Sequence, residues 1–149
     1  IGLRFTGKML SFTAAPLAGG VLGSGDAQFV IAEWRDPGGV SDPPRLIAPL
    51  HVHRSDDEAW YVLEGRLCIR AGDEEIEIPA GSAYLVPRGT PHTYWNPGPQ
   101  CARYLLFMTP TILRLIEAIH AMTDRNAAAL ARVFEEHDSA RLHPPPGFW

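Results

Sequence analysis

The stretch "HVHRSDDEAW", His51 to Trp60, sets two imidazoles two positions apart and a carboxylate, Glu58, five positions after the second. On an extended strand, side chains two apart share a face. His51 and His53 therefore project together. Two neutral imidazoles with a nearby carboxylate chelate a divalent first-row metal. Arg54–Asp57 supply a turn that returns Glu58 toward the same face, with Trp60 and Val62 following it inward at period two. Asp56 and Asp57 read as solvated turn residues, not as further ligands. A fourth candidate ligand stands downstream. "PRGTPHTYWN" puts His92 just after a Pro–Gly turn at the start of another strand, with Tyr94 and Asn96 on its face.

Such ligands need a rigid frame, and the surrounding chain reads as one. Between about residues 27 and 109, short runs rich in Val, Ile, Tyr, Trp and Leu alternate with Gly, Pro, Asp and Asn clusters. Strands are expected at Gln28–Trp34, Ala59–Leu63, Arg66–Ala71, Glu74–Ile78, Ser82–Pro87, His92–Trp95 and Ala102–Thr109. Lys8–Phe12 and Leu46–His53 show the pattern less strongly. Many short, closely spaced strands predict a sandwich or barrel. "LEGRL" and "AGDEE" carry hairpin-turn residues. "DPGGVSDPP", Asp36–Pro44, predicts a surface loop. After Thr109 the period changes. Thr109–Pro110 is an N-cap with Pro at the first helical position, and Ile112, Leu115, Ile116 and Ile119 recur at helical spacing. Asp124 is the expected cap of a second helix, striped by Ala127, Leu130, Ala131 and Phe134. The tail "HPPPGFW" is expected to run extended over the surface. The whole chain, 1–149, thus reads as one domain: a barrel at about 27–109, a helical extension at about 110–137 and a Pro-rich tail at 138–149.

At this point the residues carry a resemblance. The chain resembles the cupins, a family of small double-stranded β-barrels of jelly-roll type, and among them small single-domain proteins similar to quercetin dioxygenases, some of which carry C-terminal helices. The first cupin motif, G-x5-H-x-H-x(3–4)-E-x6-G, is met by His51, His53, Glu58 and Gly65, with four residues between His53 and Glu58. The second, G-x5-P-x-G-x2-H-x3-N, is met at every spacing by Gly81, Pro87, Gly89, His92 and Asn96. The departure is the first glycine, whose place Arg45 holds; it is a turn position and not a ligand. The resemblance implies an all-β jelly-roll fold with C-terminal helices. It also implies that His51, His53, Glu58 and His92 ligate one divalent transition metal (Fe, Mn, Ni, Co or Zn) inside the barrel.

Totals narrow the partners. The 149 residues suffice for one domain with a real core, and a net charge of −4 argues against nucleic acid or an anionic membrane as the main partner. No stretch has 18 unbroken apolar residues and no signal-peptide pattern stands out. Cys68 and Cys101 sit in apolar runs without CxxC spacing and read as buried free thiols, which fits a cytoplasmic protein. The chain begins at Ile1, not Met, which leaves its natural start open. Trp60, Tyr84 and Tyr94 are candidate pocket-lining residues. Asn96 reads as closing the turn before "PGP". Arg70 and Arg103 read as salt-bridged or solvated, and His120, His137 and His143 as ordinary exposed histidines. The apolar faces of the early strand and the C-terminal helices predict a homodimer.

Three functions are open at this stage. The first, implied mainly by the resemblance, is a mononuclear metal-dependent dioxygenase acting on a small molecule with adjacent oxygens, with Glu58 as general base. The second is a non-oxidative isomerase, lyase or decarboxylase. The third is a cupin that binds a small molecule without turnover, since this fold hosts many functions.

Overall fold

β-Branched and aromatic residues suit a pleated, half-buried surface, and they drive the chain into strands up to Met108. The computed structural model describes residues 20–23 and 26–149. The strands are β1 (Val21–Leu22), β2 (Val30–Asp36), β3 (Leu46–His53), β4 (Glu58–Glu64), β5 (Arg66–Ala71), β6 (Glu74–Pro79), β7 (Ala83–Val86), β8 (His92–Trp95) and β9 (Ala102–Met108). Helices α1 (Pro110–Ala121) and α2 (Ala127–Glu136) follow, then a short strand β10 (Ser139–Arg141). The expected strand at Lys8–Phe12 lies outside the described residues.

The strands form two five-stranded antiparallel sheets, ordered β1-β2-β9-β4-β7 and β10-β3-β8-β5-β6. The fold is a jelly roll with two C-terminal helices. Alternate residues of both sheets point into one core. In β9, Ala102, Tyr104, Leu106 and Met108 are buried and the residues between them are only partly so. Trp60, Val62, Leu67 and Ile69 are fully buried and join this cluster. The β4–β5 hairpin turns at Gly65, whose φ is +71° and where a Cβ would sit 2.5 Å from the Cys101 carbonyl oxygen. Only glycine meets both demands there.

Arg45, at the place of the motif's first glycine, clasps Asp36 with Nη2 2.9 and 2.8 Å from its two carboxylate oxygens, closing the base of the loop between β2 and β3. Asn96 donates to the Gln100 carbonyl and accepts from the Gly98 N–H, so it closes the turn before β9 as expected. Arg103 pairs with Glu33 and Glu64. Arg70 donates to the Phe148 carbonyl and lies 4.0 Å over the Phe148 ring, which holds the C-terminal tail against β5.

Helix α1 begins as the sequence predicts: Thr109 Oγ1 accepts the Ile112 N–H at 3.3 Å, with Pro110 next. The cap of α2 differs. Asn126, not Asp124, is the N-cap, accepting the Ala129 N–H at 2.9 Å. The Asp124 carboxylate instead accepts from the Asn126 backbone N–H and side-chain amide, which holds the capping residue in place. Two further expectations are corrected. Cys101 is exposed, because it lies in the loop before β9 and not in the strand, while Cys68 is buried; both thiols are free. His137 is half-buried as the C-cap of α2, its Nδ1 2.7 Å from the Val133 carbonyl. No helix among the described residues is long and apolar enough to cross a membrane.

Candidate metal centre

Strand pairing assembles the four motif side chains from three strands. His51 and His53 lie on β3, Glu58 opens β4 and His92 opens β8. His51 and His92 are direct cross-strand partners, the close pairing that brings side chains on one face together. The turn between β3 and β4 is pinned from outside. Asp57 accepts three bonds from Arg88, at the backbone N–H and two guanidinium nitrogens, and the Gly89 N–H donates to the His53 carbonyl at 2.7 Å. The hydrogen bonds from Arg88 lower the exposed Asp57 carboxyl to about 2.

All four side chains are buried, and one donor atom from each lies within 4.8 Å of the others. His51 Nε2 is 3.1 Å from His53 Nε2, and Glu58 Oε2 is 3.2 Å from His53 Nε2 and 3.0 Å from His92 Nε2. Two ligands at right angles, each about 2.1 Å from a common cation, sit about 3 Å apart. The tautomers point the same way. His51 Nδ1 faces the Pro49 carbonyl at 2.6 Å and His92 Nδ1 faces the Thr90 carbonyl at 2.9 Å. A carbonyl only accepts, so each Nδ1 carries the proton and each Nε2 turns a lone pair inward. Burial pushes His51 down to about 3, with His92 and His53 adding to the effect, so its ring is neutral at any ordinary pH. Burial alone would raise Glu58. The close approach of the His53 and His92 rings, 3.2 and 3.0 Å away, outweighs it and holds the carboxyl well below the usual carboxylate range. A buried carboxylate beside three imidazoles makes a donor set suited to a divalent cation. The residues fit a metal.

A cavity of about 280 Å³ opens onto this centre. His51, His53 and Glu58 form its polar end; Ile47, Leu106, Ile112, Leu115 and Phe134 are among its apolar walls. Helices α1 and α2 thus roof the barrel mouth, and the Phe134 ring lies 5.5 Å from the His51 ring. His120, although exposed, lines the rim. Of the three expected pocket aromatics, only Tyr94 lines this cavity. Trp60 is fully buried behind it, with its ring against those of His92 and Tyr94, and Tyr84 packs against the core farther along the paired β4–β7 edge. Tyr104, which sequence reasoning did not single out, also lines the cavity, with its hydroxyl 3.2 Å from that of Tyr94. Burial raises both phenols, Tyr94 well above its ordinary value and Tyr104 to about 12, so both stay protonated.

The family model described as "Cupin domain" matches residues 37–108, the span that contains all four donors. This chain contains a cupin domain. The cupin is 34% identical over 77 residues to mannose-1-phosphate guanylyltransferase of Salmonella muenchen, covering 52% of this chain and 15% of that protein. It is 39% identical over 46 residues to quercetin 2,3-dioxygenase of Bacillus subtilis, covering 31% of this chain and 14% of that one. Among solved structures it is similar to TT1209 from Thermus thermophilus, at 27% identity and a TM-score of 0.49, covering 57% of this chain and 76% of that one. The cupin spans less than half the length of these two curated relatives.

Tyr104 had a readable signal: it occupies an inward position of β9 by the same parity as Leu106. Ser139, whose hydroxyl meets His53 Nδ1 at 2.7 Å, had none, because nothing local marks β10 as a strand.

Proposed function

We propose that this cupin is a mononuclear metal-dependent enzyme of dioxygenase type, acting on a small molecule whose adjacent oxygens face the metal and whose apolar body faces the helices. The observation that carries the reading is the convergence of four buried donors at one end of an otherwise largely apolar cavity. His51, His53, Glu58 and His92 would hold the metal. When bound, it supplies Lewis-acid polarisation of a substrate oxygen and, if redox-active, electron transfer toward dioxygen.

The chain's own residues have separate tasks. Once it swings off the metal and away from the His53 and His92 rings that depress it, the Glu58 carboxylate accepts a proton from a substrate hydroxyl. The Tyr94 and Tyr104 hydroxyls, protonated throughout and bonded to each other, leave one O–H to donate to a substrate oxygen. Ile112, Leu115 and Phe134 exclude water from the polar end, which strengthens every charge interaction there. The small cavity limits the substrate to a compact molecule such as an enediol or catechol.

The test is oxygen uptake by metal-loaded protein offered enediols and catechols, followed by single-turnover kinetics of Glu58→Gln at saturating metal. The variant should bind substrate yet turn it over roughly 10²–10⁴-fold more slowly, the usual contribution of a general base. Near-wild-type turnover would remove Glu58 from the role of base. The basicity of Glu58 serves proton transfer without oxygen equally well. Product formed without oxygen consumption would therefore assign the isomerase, lyase or decarboxylase reading, and stoichiometric binding without product a binding module.

A further inference from the structure

Each imidazole of the centre is aimed by what its Nδ1 touches, and the three are not aimed alike. His51 and His92 bond backbone carbonyls two residues away, Pro49 and Thr90, so their orientation is set within their own segments. His53 instead meets the hydroxyl of Ser139, which lies 86 residues further along the chain, at 2.7 Å. Ser139 is 1% exposed and stands directly opposite His53 in the β3–β10 ladder. Its Oγ also lies 3.1 Å from the His137 carbonyl, which can only accept. The single hydroxyl proton is therefore committed to His137, and Oγ must accept from His53 Nδ1–H. That leaves the His53 Nε2 lone pair facing His51 and Glu58.

We infer that Ser139 is a positioning residue that fixes the tautomer and ring angle of His53, so that the C-terminal strand β10 completes the metal centre. The inference rests on the metal reading above. It extends that centre beyond the matched residues 37–108. The arrangement is anchored on both sides. Arg54, next to His53, donates to the Ser139 carbonyl at 3.1 Å and pairs with Glu135 of α2, and the Arg54 N–H donates to the Asp138 carbonyl. The same C-terminal segment that brings Phe134 over the cavity thus sets one of the four donors. Partners that orient a metal-ligating histidine typically contribute 10- to 100-fold in metal affinity.

The test uses the full chain, Ser139→Ala and Ser139→Thr, with zinc as the probe. Zinc affinity is read by competition with a chromophoric chelator, and the imidazole nitrogens of metal-free protein are read by long-range ¹⁵N–¹H correlation. Ser139→Ala should bind zinc 10- to 100-fold more weakly and lose the single Nδ1-protonated form of His53, while His51 and His92 keep theirs. Ser139→Thr, which retains a hydroxyl, should restore both. Wild-type affinity in Ser139→Ala would overturn the inference. So would a wild-type His53 protonated at Nε2 in the metal-free protein, a result that stands even if Ser139→Ala does not fold. A wild type that binds no zinc but shows His53 protonated at Nδ1 would remove the metal reading and leave the orienting bond itself supported.

Discussion

Acid should destabilise the metal-free protein through His51, and the size of the effect follows from its burial. In the unfolded chain this imidazole takes a proton below its ordinary value of 6.5, whereas in the folded chain it stays neutral down to about 3. Between those values the unfolded state binds a proton that the folded state does not, so stability is complete above about pH 6.5 and falls as pH drops toward 3. Each full unit contributes about 1.4 kcal/mol, and the first counts only in part because it starts at the midpoint, so lowering the pH from 6.5 to 4.5 should remove about 2 kcal/mol. That is a large part of a typical total of roughly 5–15 kcal/mol. Glu58 has the same sign, since its folded carboxyl is held below its ordinary value of 4.5, but it contributes only below that pH. Urea unfolding of metal-free wild type and His51→Gln at pH 7, 6 and 5 isolates the His51 part. Wild type should lose stability across this range markedly faster than the variant. Equal slopes would refute the claim that His51 is held neutral by burial.

Two further outcomes are expected. Gly65→Ala should lower the melting temperature by several degrees more than Gly72→Ala: both glycines have positive φ, but only at Gly65 would the added Cβ meet backbone, at 2.5 Å, so equal losses would show that the close approach is not felt. Tyr61 and Leu85, 38% and 55% exposed on the outer face of the β4–β7 pair, offer an apolar surface suited to a second copy; light scattering should give a dimer mass that Leu85→Glu lowers, and a concentration-independent monomer would count against it.

Much of the fold and of the site could be read from residue spacing, for local physical reasons. Period-two alternation places His51 and His53 on one face, and the turn after them returns Glu58, without any long-range information. Leu46–His53, whose pattern is the weaker one, forms a full strand, and Arg66–Ala71 and His92–Trp95 match residue for residue. What escaped depends on contacts distant in sequence or on competing short polar side chains. Asp124 and Asn126 are both good caps, and only the start of α2 at Ala127 decides between them. Strand β10 has three residues, too few for a periodic signal, and exists because β3 offers it an edge. The roof over the cavity required knowing that α1 and α2 fold back across the barrel mouth. Trp60 was expected to line the pocket because it follows Glu58 at period two. It points inward as expected, but one layer deeper than the cavity wall.

The central claim is that His51, His53, Glu58 and His92 hold one metal ion, and elemental analysis tests it most directly. Protein purified without a chelating column, and then offered iron, manganese, nickel, cobalt and zinc in turn, should carry one divalent ion per chain. His92→Ala should lose most of it while keeping the far-ultraviolet circular dichroism of a folded barrel, since His92 touches the site through its ring and the β3–β8 pairing through its backbone. A wild-type protein that stays metal-free with every one of these ions would contradict the account.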